Sequence, residues 1–256
     1  MIELRTPAEI DAMRPAGAFV ASALVALREA SVVGVDLLKL DSLASGMITK
    51  AKATSCYVDY HPSFGAMPFG KVLCTSVNDA ALHGLPYSYR LKDGDLLSLD
   101  FAVSIDGWVA DSAISFIVGE SDTRAADQKL IDTTEDALAA AIAAAQPGGR
   151  MGDVSAAIGA VSHAAGFSIN TDFGGHGVGR AMHGDPHVPN DGRPGRGVPL
   201  RPGLVFAIEP WLMQTTDRIF TDPDGWTLRS LDGSRAAHSE HTIAITEDGP
   251  LVLTAR

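Results

Sequence analysis

Residues 96–118 read LLSLDFAVSIDGWVADSAISFIV, and this stretch decides the fold. Asp106-Gly107 is a two-residue turn signal between two alternating strands. In the first strand Leu97, Leu99, Phe101 and Val103 share one face, leaving Ser98, Asp100 and Ala102 on the other. In the second, Ala110, Ser112, Ile114, Phe116 and Val118 share a face, with Val109, Asp111, Ala113 and Ser115 opposite. A two-residue turn pairs Ala102 with Asp111 and Asp100 with Ala113, which is also the parity that puts both bulky faces on one core. Asp100 and Asp111 then become diagonal neighbours, about 7 Å apart at Cα, with small residues around them. Two ionised carboxylates so close repel, so one takes a proton or a cation sits between them. The plainer alternative is a pair of solvated aspartates on an exposed hairpin face.

Upstream, Thr6-Pro7-Ala8-Glu9 is a capping box with proline at the first helical position. Apolar residues follow at Ile10, Met13, Ala16, Val20, Leu24 and Leu27, and Pro15 is expected to kink or interrupt this helix. A second helix is expected from about Asp36 to Ala53. Strand-like material, turns and a His-Gly loop at His83-Gly84 then lead to Asp95. Downstream the order recurs. Helical sequence runs from near Thr123 to Gln146-Pro147-Gly148-Gly149, and another helix covers Asp153 to Ala165 with Gly166 at its C-terminal cap. A Gly/His-rich loop follows at Gly174–His187, then strands near Leu204–Glu209 and Glu240–Thr246. Gly94 lies six residues before Asp100, and Gly203 six before Glu209. The pattern implies an α+β fold of two similar halves, about 1–118 and 119–256, within one domain spanning 1–256, with a site where they meet.

The chain has 256 residues, 46% hydrophobic and 20% charged, with a net charge of −11. That composition supports a sizeable core, and the acidic surface disfavours DNA, RNA and anionic membrane as principal ligands. A cationic partner such as a free α-amino group suits it better. No apolar run approaches the roughly 18 residues of a membrane helix; the longest candidate, Ala137–Ala145, reads as a buried helix. The opening MIELRTPAEIDAMRP has no hydrophobic core, so neither a secretory signal nor a docking extension is expected. Cys56 and Cys74 are the only cysteines, which fits a reduced cytoplasmic location and excludes a disulfide framework.

Gly174-Gly175-His176-Gly177-Val178-Gly179-Arg180 is not a dinucleotide fingerprint, because Arg180 takes the final glycine place. Glycines around His176 suggest a backbone pressed close to a neighbour with one imidazole presented. Glu209 ends an apolar run, LVFAIEP, where an ionised carboxylate needs a partner. Glu240 opens EHTIAIT and shares a face with Thr242 and Ala244. Together the carboxylates and imidazole suggest a metal site, whereas His61, His163, His187, His238 and His241 read as structural.

The ordered set His83, Asp100, Asp111, His176, His183, Glu209, Glu240 resembles the type I methionine aminopeptidases. The contexts VNDAALHGLP, SLDFAVSIDGWVADSA, GGHGVGRAMHGDPHVPN, FAIEPW and SEHTIAIT match along essentially the whole chain. The resemblance implies the pita-bread fold, pseudo-twofold halves around a curved antiparallel β-sheet. It implies two divalent metal ions (Co, Mn, Fe or Zn) held by Asp100, Asp111, His176, Glu209 and Glu240, with Asp111 and Glu240 bridging. Glu209 would also shuttle the proton of the attacking water. His183 would donate to the scissile carbonyl oxygen and His83 would lie near the leaving nitrogen. Cys74, Trp226, Tyr60 and Met182 would line a methionine pocket. Two departures stand out: DYHPSFGAMPFGKV before Cys74 is longer than in the shortest relatives, and Met182 stands where an aromatic residue is common.

The activity so implied is removal of the N-terminal methionine from peptides and nascent proteins with a small second residue. The partner is that N-terminus, with ribosome association open, no DNA or membrane ligand, and a monomeric chain. Two rivals remain: an X-Pro aminopeptidase of the same fold, and a non-catalytic pita-bread binding protein. The first usually needs a large preceding domain, for which Asp100 comes too early. The second usually loses ligands that are all competent here. A serine hydrolase is disfavoured because GxSxG is absent.

Overall fold

A computed structural model describes residues 2–62, 67–120 and 125–256. The first half runs α1 (Pro7–Ala30), α2 (Leu37–Ala51), β1 (Thr54–Ser55), β2 (Cys74–Val77), β3 (Ala80–Leu82), β4 (Leu96–Ile105) and β5 (Trp108–Ile117). The second half begins with α3 (Ala125–Ala144) and α4 (Met151–Ala165). Its strands are β6 (Ser168–Ile169), β7 (Gly174–Gly177), β8 (Gly184–Pro189), β9 (Val205–Ile208), β10 (Trp211–Met213), β11 (Ile219–Thr221), β12 (Leu228–Ser230), β13 (Ala236–His238), β14 (His241–Thr246) and β15 (Gly249–Val252). All strand pairs are antiparallel, and helices and sheets are segregated, so the class is α+β.

The hairpin has the register its turn dictates. Ala102 faces Asp111, Asp100 faces Ala113, and Ile105 faces Trp108 across the turn. Asp106 and Gly107 take φ of 52° and 75°, the left-handed pair a type I′ turn requires. Leu97, Leu99, Phe101, Ile114 and Phe116 pack with Val20, Leu24 and Leu27 of α1 and Leu37 and Leu40 of α2. The opposite face is not exposed. Ser98, Asp111 and Ser115 on it are buried and Asp100 is half-buried, so the pair is not the freely solvated one of the plainer alternative.

The later helices build a second layer. Ala137, Leu138 and Ala141 of α3 and Val154 and Ile158 of α4 cover Phe206, Ile208, Ile243 and Ile245. Those strands belong to a five-stranded sheet ordered β15-β14-β9-β7-β8. Gly94 and Gly203, the two glycines that precede acids by six residues, both have positive φ, 81° and 96°. The two layers are joined where β5 meets the segment leading into β14. Ser112 Oγ donates to Glu240 O at 2.6 Å, and Glu240 N donates to Ala113 O at 3.1 Å. Thr242 Oγ1 both accepts from Asp111 N and donates to Asp111 O.

Two expectations change. α1 runs unbroken through Pro15, because Pro15 lies on the exposed side, where water can satisfy the carbonyl its missing N–H abandons. The same helix, not Ala137–Ala145, is the one described helix long and apolar enough to cross a membrane, with a mean hydropathy of 1.4 over its best window. Its apolar stripe is buried on the hairpin, as in a core helix. Elsewhere boundaries shift slightly: Asp36 caps α2 rather than joining it, and α4 begins at Met151. The expected start of α3 near Thr123 lies outside the described residues.

Candidate metal centre

Each acidic ligand candidate sits on or beside a strand that its own apolar neighbours anchor. Asp100 and Asp111 are carried by β4 and β5, Glu209 follows β9 and Glu240 precedes β14, while His176 lies within β7. The glycines flanking His176 let β7 sit tightly between its partners. A Cβ on Gly175 would fall 2.2 Å from Ala207 O, and one on Gly177 would fall 2.0 Å from Asp185 O. The neighbour inferred from sequence is therefore backbone, and it leaves the imidazole as the one side chain presented there.

These elements bring all eleven candidate residues to one cavity, which Asp100, Asp111, His176, Glu209 and Glu240 line together with His83, His183, Cys74, Trp226, Tyr60 and Met182. His176 Nε2 lies 3.4 Å from Glu209 Oε1 and 3.9 Å from Asp111 Oδ2. Asp111, His176 and Glu240 offer ligand atoms all within 4.8 Å of one another.

The electrostatics follow from burial. Desolvation first, then the neighbouring carboxylates, push Glu209 from 4.5 to about 8 and hold Asp111 and Glu240 well above the carboxylate range. Asp100 rises to about 6, burial outweighing the hydrogen bonds it accepts from Tyr57 and others. Arg256 is the cation that opposes the rise at Glu240. Such a set is strained as anions unless external positive charge is supplied. Four carboxylates and an imidazole form a donor set of hard oxygens plus one nitrogen, which fits divalent cations. Burial, followed by His183 in its neighbourhood, lowers His176 to about 3, so its imidazole is neutral and able to ligate.

His83 and His183 are held at about 4, chiefly by desolvation and then by nearby imidazoles, so both are neutral donors at pH 7. His83 takes a left-handed φ of 54° at the end of β3. The ring of His183 lies 4.0 Å from that of His176 and stacks on Tyr60 at 5.0 Å. Behind them an aromatic wall continues from Tyr60 to Trp226 and from Trp226 to Phe69, with ring centroids 6.2 and 5.1 Å apart.

Sequence reasoning missed three participants. Tyr57 donates its hydroxyl to Asp100 and lies 3.3 Å from Asp111 Oδ1; no local pattern marks it, since its partners are more than forty positions away. Phe69 lines the cavity from within the long stretch before Cys74. His238, read as structural, is buried with Nε2 3.9 Å from Glu209 Oε2. Of the other histidines so read, His163 pairs with Asp191 at the surface and His241 bonds Thr254.

Residues 11–247 match the model of metallopeptidase family M24. Methionine aminopeptidase 1 of Mycobacterium tuberculosis is 43% identical over 99% of this chain and 95% of its own length. The methionine aminopeptidase of Clostridium perfringens is 44% identical, covering 99% of each. The crystal structure of methionine aminopeptidase from Thermotoga maritima superposes with a TM-score of 0.92 at 39% identity, over 100% of both chains. Prolidase from Pyrococcus furiosus shares the fold alone, with a TM-score of 0.76 at 19% identity over 99% of this chain and 65% of that one. These neighbours make the architecture the pita-bread fold. The chain belongs to metallopeptidase family M24, and within it to the methionine aminopeptidases.

Proposed function

We propose that this chain removes N-terminal methionine from peptides and nascent proteins whose second residue is small. The observation that carries it is the convergence of four carboxylates, three of them buried and Asp100 half-buried, and a neutral imidazole beside an apolar, sulfur-bearing pocket. In this proposal Asp100, Asp111, His176, Glu209 and Glu240 would hold two divalent cations, Asp111 and Glu240 serving as the shared ligands. Two dications against four carboxylates approach neutrality, which relieves the repulsion of the buried anions. When bound, such cations supply Lewis acidity and a water of lowered pKa.

The chain's own groups do the rest. Glu209, ionised when the cations are bound, would take the proton of the attacking water and pass it toward the leaving amine. Neutral His183 donates a hydrogen bond to the scissile carbonyl oxygen as negative charge develops there. His83 orients the peptide nitrogen. Cys74, Met182, Tyr60 and Trp226 give the methionine side chain an apolar, polarisable slot. The 256 residues act as one domain with a site between halves 1–118 and 119–256. We place the enzyme in the cytoplasm, a compartment that suits its free cysteines, as a monomer acting on N-termini free or at the ribosome.

Hydrolysis of Met-Ala-Ser before and after chelation tests this. Release of methionine that stops with chelator and returns with Mn or Co is expected. A metal-replete preparation with no turnover would favour a non-catalytic binding protein.

A further inference from the structure

We propose that His238 is the positioning residue of Glu209: its Nε2–H fixes carboxylate oxygen Oε2 and leaves Oε1 facing His176. The inference rests on the metal site proposed above and adds a residue to it. Glu209 presents its two oxygens to two different imidazoles, Oε1 at 3.4 Å from His176 Nε2 and Oε2 at 3.9 Å from His238 Nε2. His176 faces the cavity, whereas His238 lies behind the carboxylate and is 2% exposed.

The backbone fixes this placement from both sides. β13 pairs with β10 so that His238 stands opposite Trp211, two residues beyond Glu209. Ser115 Oγ accepts from His238 N and donates to His238 O, both at 2.8 Å, tying the residue to β5. Asn190 Nδ2 donates to Glu209 O at 3.1 Å and pins the carboxylate's own main chain. With both backbones held, only side-chain rotation remains.

His238 Nε2 is a buried nitrogen with no hydrogen-bond partner among the described residues. An unmatched buried polar group carries its full desolvation penalty, which a nearby acceptor removes. Glu209 Oε2 is the carboxylate oxygen in reach, and an ionised carboxylate is acceptor-only. Closing from 3.9 Å to a normal hydrogen bond needs about 1 Å of movement, within the compass of a carboxylate rotation. A ligand whose outer oxygen is so fixed offers the inner one in a single orientation, and partners of this kind affect metal affinity by about 10–100-fold.

The test compares His238→Gln, which keeps an N–H donor, with His238→Leu, which keeps bulk and loses it. Mn binding to the chelator-treated full chain is measured by calorimetry, together with kcat and KM for Met-Ala-Ser. We expect His238→Leu to weaken Mn binding by about tenfold or more and lower kcat with KM little changed. His238→Gln should stay within about threefold of the parent in both. Equal losses in both variants would assign His238 to packing and overturn the proposal, as would wild-type Mn affinity in His238→Leu. If His238→Leu does not fold, His238→Met carries the same comparison. A parent protein that takes up no Mn would overturn the metal site itself, a separate result from variants that bind as the parent does.

Discussion

Raising the pH of the metal-free protein from 6.5 to 8 should destabilise it, and loading metal should cancel the effect. The carboxyl of Glu209 moves from 4.5 to about 8 on folding. A carboxyl raised in the native state contributes stability that is complete below its unfolded value and is lost as pH rises through its folded value. Asp111 and Glu240 shift the same way. The buried histidines act oppositely: His83, His176, His183, His238 and His241 are depressed from 6.5, so their contribution is complete well above that value and is lost as pH falls through it. At pH 6.5 the unfolded imidazoles are half protonated, so each histidine adds back only roughly 0.4 kcal/mol by pH 8, and the three raised carboxylates together outweigh them. At 1.36 kcal/mol per pKa unit, Glu209 by itself removes roughly 2 kcal/mol between pH 6.5 and 8. Against a typical net stability of about 5–15 kcal/mol, that is a clear fall in the urea midpoint. Cations require the ionised carboxylates, so metal at about 100 times Kd should restore some 2.7 kcal/mol and abolish the alkaline decline. Urea titrations at pH 6.5, 7.25 and 8, with chelator and with excess Mn, provide the assay. A chelated protein whose midpoint is level or rises across this range would refute the electrostatic account of the site.

Asp111→Ala and Glu240→Ala should each abolish methionine release and uptake of one or both cations, measured by hydrolysis and by metal analysis; near-normal turnover in either contradicts the ligand assignment. His83→Ala and His183→Ala should lower kcat by about 10²–10³ while the protein still binds metal, a split read from kinetics and calorimetry together. Gly175→Ala should destabilise the fold by about 1–3 kcal/mol by driving a methyl into Ala207 O, with a lower thermal midpoint even in excess metal.

The hairpin was legible because period-two alternation and an Asp-Gly turn fix both register and facing, so the closeness of Asp100 and Asp111 followed from local chemistry. Helix limits were legible where a cap was recognised, as at Thr6 and Gly166. His176, Glu209 and Glu240 carried weaker signals: glycine crowding and a carboxylate in an apolar strand say that something is near, and only motif resemblance says what. Tyr57 and His238 were invisible because their roles arise from partners brought close by tertiary packing. The continuity of α1 through Pro15 was missed for a related reason, since which side of a helix faces water is settled by what packs on the other.

Crystals grown with saturating Mn and measured at an energy that excites its anomalous signal test the central claim most directly. Two peaks should appear within the ring of Asp100, Asp111, His176, Glu209 and Glu240, with Asp111 and Glu240 in contact with both. Absence of any peak among these side chains, with the protein folded and Mn in excess, would contradict it.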